Sequence, residues 1–142
     1  MHVLELNFAT PEYDEAVRLR YDVLRQPLGL EFDADTLAKE HSDTHLGLYT
    51  PELELLAYAL LRPEDQTAWM KQVVVRADLQ GQGLGRLLVE GFERKAQMTG
   101  FTDIKLHARD TAVPFYQKLG YSVYGEPFTE VGIPHQAMHK AL

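Results

Sequence analysis

Residues 73–92 read VVVRADLQGQGLGRLLVEGF: three β-branched residues, a polar turn, glycines at 81, 83 and 85, and then apolar residues at helical spacing. A strand that enters a helix through such a turn narrows the choice of fold and of ligand. The first N–H groups of a helix have no intrahelical partner, and they carry the positive end of its dipole. Glycine leaves no Cβ in the way, so an anion can touch that backbone. The combination predicts a seat for phosphate or pyrophosphate. A turn built only for close packing is the alternative, and the flanking strand and helix favour the seat.

Three phosphate-binding patterns can be compared with this stretch. The P-loop needs Gly-Lys-Ser/Thr, but Gly85 is followed by Arg86 and Leu87. The dinucleotide pattern G-x-G-x-x-G fails twice, since its third glycine falls on Arg86 or on Leu88. The pattern Gln/Arg-x-x-Gly-x-Gly/Ala is met by Gln80, Gly83 and Gly85.

The rest of the chain predicts a sheet with helices on its faces. HVLELNF alternates as a first strand, and Thr10-Pro11 starts a helix that ends near Gln26. Residues 31–45 read as a short helix or loop. Three strands follow: HLGLY, LELLAYALL and TAWMKQVVV. The helix after the glycines presents Leu84, Leu87, Leu88, Gly91 and Phe92 inward and stops at Gly100. A strand (FTDIKLHA), a short helix (TAVPFYQKLG) and two final strands (YSVYG and HQAMHKAL) complete an α/β or α+β order.

Composition excludes several classes of function. With 142 residues, one domain over 1–142 is expected. A formal charge of −7 disfavours nucleic acid as a partner. The chain has no cysteine, hence no thiolate metal site and no cysteine nucleophile, which fits a reducing cytoplasm. No leader peptide is expected from MHVLELNFATPEYDE, and no apolar stretch approaches the roughly 18 residues of a membrane span. His41 and His45 have helical spacing but lack a convincing third ligand, so no metal is expected.

VVVRADLQGQGLGRLL resembles the acetyl-CoA motif of the GNAT superfamily of N-acetyltransferases, and LHARDTAVPFYQKLGY, Leu106–Tyr121, resembles that superfamily's later motif. The resemblance implies a mixed, mostly antiparallel sheet of about six to seven strands flanked by about four helices. It implies acetyl-CoA as co-substrate, with backbone groups of Val73, Val74 and Val75 along the pantetheine arm. One valine N–H would polarise the thioester carbonyl. Gln80, Gly81, Gln82, Gly83, Leu84, Gly85 and Arg86 would wrap the pyrophosphate, and Ala112 and Phe115 would line the far side of the arm. Arg109 stands where many relatives have asparagine. The acceptor would be a small-molecule amine, with no nucleic acid or membrane involved; a homodimer is compatible with the resemblance.

Acetyl transfer to an amine needs a neutral nucleophile and a proton for the departing thiolate. Tyr116 matches the general-acid position of several relatives, and packing is its alternative role. His107 and Glu130 are candidate bases, as are His135, Glu40, His41 and His45. No Gly-x-Ser-x-Gly elbow is present, which favours direct transfer over an acyl-enzyme. The segment Glu31, Asp33, Asp35, Glu40 and Asp43, against Lys39 alone, predicts either an acidic rim that attracts a cationic amine or an ordinary solvated loop. Two other functions remain open: a catalytically silent acyl-CoA-binding domain and a nucleotide-binding module.

Overall fold

The computed structural model describes all residues, Met1–Leu142. Strand β1 (His2–Leu6) leads into helix α1 (Pro11–Arg20), whose N-terminus is capped by the Thr10 hydroxyl accepting from the Tyr13 N–H at 3.3 Å. The helical run stops close to Gln26, as the sequence predicts, but not as one regular helix. It widens into a π-turn at Tyr21–Arg25, tightens into a 3₁₀ turn at Gln26–Leu28, and ends at Gly29 with φ of 68°. A short helix, α2 (Ala34–Ala38), precedes the meander β2 (Thr44–Tyr49), β3 (Leu55–Glu64) and β4 (Thr67–Val75). Then come α3 (Leu84–Thr99), β5 (Asp103–Arg109), α4 (Val113–Lys118), β6 (Ser122–Glu130) and β7 (Ile133–Ala141).

The seven strands form one sheet in the order β1-β2-β3-β4-β5-β7-β6. All neighbours are antiparallel except β4 and β5. The expected mixed, mostly antiparallel sheet with four helices is therefore what the chain adopts.

Helix α3 packs on one face of the sheet, where Leu88, Phe92 and Ala96 meet Met70, Leu106 and Met138. Leu87, expected on this inward stripe, is instead 43% exposed, and Val89 and Ala96 complete the buried set. Gly91 is required here because a Cβ would collide with the Val3 side chain. Helix α1 covers the opposite face, with Tyr13 and Ala16 against Tyr58, Leu60 and Val74.

A β-bulge in β4 shapes everything that follows. Tyr58 pairs with Val74 and Leu60 with Lys71, so Gln72 and Val73 together oppose Ala59. Gln72 takes φ of 56° to make the bulge. An extra residue reverses the side-chain alternation of a strand. Ala68 and Met70 face α3 before the bulge; after it, Val73 and Val75 do, and Val74 turns to the α1 side.

Candidate active site

Strands β4 and β5 pair only at Thr67–Asp103, Ala68–Ile104 and Trp69–Lys105. Beyond Trp69 they part, and Met70–Val75 lose the neighbour they would have on that edge. Backbone N–H and C=O groups left without a strand need other partners. The opening is a cleft of about 1000 Å³, walled by β4 on one side and by β5 and α4 on the other. Its floor is apolar, with Met70, Leu106 and Ala108 among the lining residues.

The glycine turn closes one end of the cleft, with Gly81, Gly83, Leu84 and Gly85 at its wall. Gly81 and Gly83 have φ of 82° and 81°, and no side chain lies within 4 Å of where their Cβ atoms would stand. They are needed for backbone shape. Gly85 has a different reason: its Cβ would lie 3.2 Å from the Phe115 ring. Gly83 is the N-cap of α3 and supplies no side-chain acceptor. The first intrahelical bond runs from the Leu87 N–H to the Gly83 carbonyl at 3.3 Å, so the N–H groups of the first turn lack helical partners. The Gln80 amide donates to the Val75 carbonyl at 3.3 Å and ties the turn to the end of β4.

Val73, Val74, Val75, Gln80, Ala112, Phe115, Tyr116, His107 and Glu130, all singled out from the sequence, border this cleft. The side chains of Gln82 and Arg86 do not. Arg86 turns along α3 and pairs with Glu90 at 2.8 Å, which leaves only backbone groups of these two residues for the turn. Arg109, standing in place of asparagine, lines the cleft and pairs with no carboxylate.

Polar groups gather on the face opposite α3. His107 Nδ1 lies 3.2 Å from Glu130 Oε1, and His135 Nε2 lies 3.6 Å from Glu130 Oε2. The His107 ring meets Trp69 and Phe128 edge-on, at centroid distances of 5.3 and 4.9 Å. The His135 Nδ1 atom lies 2.7 Å from the Ile133 carbonyl, so this buried ring donates there and turns Nε2 to the carboxylate. Tyr116 sits on α4 with its ring buried, and burial alone raises its hydroxyl pKa. Lys71 lies over the Trp69 ring at 5.4 Å, and burial lowers its ammonium pKa.

The other candidate bases lie elsewhere. Glu40 is buried and takes a bidentate pair from Arg20 at 2.8 and 2.7 Å, with the Tyr13 hydroxyl donating at 2.8 Å. Burial would raise its carboxyl pKa, but the Arg20 guanidinium holds it below the usual range. His45 is buried between the Tyr58 hydroxyl and the Glu40 carbonyl. His41 contacts only the Ala38 carbonyl among polar groups.

The acidic segment does not rim the cleft: Glu31, Asp33, Asp35, Glu40 and Asp43 all lie outside its wall. Asp33 caps α2, and Asp43 pairs with Arg62 at 2.8 Å. Sequence reading missed Lys71 and Arg25. Lys71 was legible as a lone lysine in the apolar strand TAWMKQVVV, whereas Arg25 reaches the cleft through the π-turn, which has no comparable sequence signal.

A profile of the family described as "Acetyltransferase (GNAT) domain" matches residues 26–142. The chain is 34% identical over 113 residues to the Bacillus subtilis protein YyaT, covering 79% of this chain and 74% of that one. It is 31% identical over 125 residues to Bacillus subtilis YjcF, named an uncharacterized N-acetyltransferase, covering 87% of each. An aminoglycoside 6'-N-acetyltransferase complexed with coenzyme A superposes with a TM-score of 0.81 at 16% identity, covering 99% of this chain and 97% of that one.

Proposed function

The chain belongs to the GNAT acetyltransferase family and is an acyltransferase; we propose that residues 1–142 form one catalytic unit moving an acetyl group from acetyl-CoA directly to a primary amine of a small acceptor. The observation that carries this reading is the parting of β4 from β5 beside the uncapped first turn of α3. An unpaired strand edge suits an extended chain with amide groups, and a helix N-terminus suits a pyrophosphate. Coenzyme A has both parts in that order, and the aminoglycoside acetyltransferase of the same fold is complexed with it.

Acetyl-CoA supplies an activated acyl group as a thioester. The backbone of Val73–Val75 would hold its arm, and the N–H groups of Gly81–Arg86 would receive its phosphates. Ala112 and Phe115 would close the other wall. His107, oriented by Glu130, is proposed to take the proton of the attacking amine, directly or through water. Tyr116 is proposed to protonate the departing thiolate, since a tyrosine hydroxyl carries its proton at neutral pH and this one borders the cleft. No residue forms a covalent link to the acetyl group in this scheme.

A turnover assay with acetyl-CoA and a panel of amines, reading released thiol, tests the proposal. Thiol release must depend on the amine and yield its N-acetyl product. Mass spectrometry after acetyl-CoA alone must show no acetylated enzyme. CoA binding without turnover on any amine supports a silent acyl-CoA-binding domain instead.

A further inference from the structure

We propose that the acceptor amine also carries an anionic group, a carboxylate or a phosphate, recognised by Lys71 and Arg25. This rests on the acetyltransferase reading above and reverses the charge preference that the acidic segment suggests. The chain has 21 Asp and Glu against 14 Lys and Arg, yet its cleft is lined by Arg25, Lys71 and Arg109 and by the single carboxylate Glu130. Glu130 faces His107 and His135, and none of the three cations is in a salt bridge.

Position separates the acceptor's charge from that of the phosphates. The glycine turn follows the end of β4, whereas Lys71 precedes the bulge, on the side where the strands begin to part. Lys71 shares the sheet face of Trp69, and Trp69 touches His107, so the ammonium stands on the face that holds the proposed base. Arg25 reaches the cleft from the α1 side and is stacked on Phe32 at 4.8 Å. The charges that act on the Lys71 ammonium are Glu130, Asp43 and Glu64, opposed by Arg62, and none of these carboxylates forms a salt bridge with it; Asp43 pairs with Arg62 instead. A half-buried ammonium with no counter-ion is costly in a resting site and becomes favourable once an anion arrives. Lysine serves as a point charge for either anion, and arginine adds a planar fork.

The test is binding to protein saturated with CoA, by calorimetry, using matched pairs: lysine against cadaverine, and glucosamine 6-phosphate against glucosamine. The anionic member of at least one pair should bind about tenfold or more tightly than its partner, the scale of one charge-assisted hydrogen bond. The pair that shows the preference tells carboxylate from phosphate. Lys71→Gln should cut the difference sharply, Lys71→Arg should retain most of it, and CoA affinity should stay the same in both. Arg25→Gln should weaken the same ligand. Equal or tighter binding of cadaverine and glucosamine overturns the inference, as does no binding by any of the four compounds. A preference undiminished in Lys71→Gln overturns it too. Failure to bind CoA at all is a separate result, and it removes the acetyltransferase reading itself.

Discussion

His107 on β5 and Glu130 at the end of β6 meet at 3.2 Å although they are 23 residues apart and their strands are not adjacent in the sheet. Strand β7 lies between them and contributes His135 to the other oxygen of the same carboxylate. A base oriented by a carboxylate is the arrangement that general-base catalysis uses.

Replacing the two members singly and together should show this coupling in turnover. His107→Ala should lower kcat/KM by about 10²-fold and leave CoA affinity unchanged. Glu130→Gln should cost less alone and nothing further in the double variant, because residues acting as one unit are not additive. Fully additive losses in the two-residue cycle would separate them.

Tyr116→Phe keeps the ring that packs in the wall and deletes only the hydroxyl. We expect kcat to fall by about 10²-fold while CoA affinity is unchanged. Equal loss of affinity and turnover would assign the residue to packing. The fall should shrink with a thioester whose thiol is more acidic, since that leaving group needs less help.

In the glycine turn, Gly83 and Gly85 should respond differently. Saturating acetyl-CoA should raise the Tm of the wild type, corresponding to about 2.7 kcal/mol at a hundredfold excess over Kd. Gly83→Asp puts a side chain at φ of 81° and a negative charge at the helix N-terminus, so the shift should vanish. Gly85→Ala should weaken binding only partly, because the clash is with the Phe115 ring, which can give way. Thermal melts with and without cofactor, on variants that remain folded, check both.

The Arg20–Glu40 pair predicts an acid limit to stability. Glu40 has its pKa lowered in the fold from an ordinary 4.5, so its contribution is complete above that value. That contribution is lost as pH falls through the lower, folded pKa. Glu40→Gln should cost about 3–5 kcal/mol at neutral pH, since Arg20 would remain buried without its counter-charge. Urea melts at neutral pH measure the loss, and melts in the acid range should show a weaker pH dependence in the variant. A loss under 1 kcal/mol, as for an exposed pair, would contradict the burial argument.

Much of the fold, and the backbone shape of the proposed cofactor site, is legible in neighbouring residues. Gly81 and Gly83 carry their positive φ wherever the turn sits, and Thr10-Pro11 or Gly100 mark helix ends by local bonding. The pattern TAWMKQVVV marks its strand over the same nine residues that form β4. These features depend on a few consecutive residues, so the sequence alone determines them. The bulge at Gln72–Val73 does not show in that pattern, because it arises from register against Ala59. Without it the alternation would assign Val74 and Met70 to one face.

Charge is where the linear reading and the folded molecule part most. Five acidic residues between Glu31 and Asp43 look like a rim as a string, but Glu40 is spent on Arg20 and Asp43 on Arg62, and Asp33 caps a helix. The cations that do border the cleft come from a π-turn, from the strand before the bulge and from the end of β5. Glycine geometry is a property of the local backbone, so the sequence determined the shape of the turn proposed to hold the phosphates. The field in a cleft is a sum over charges that survive pairing, and pairing joins residues tens of positions apart. Only the tertiary structure could decide its sign.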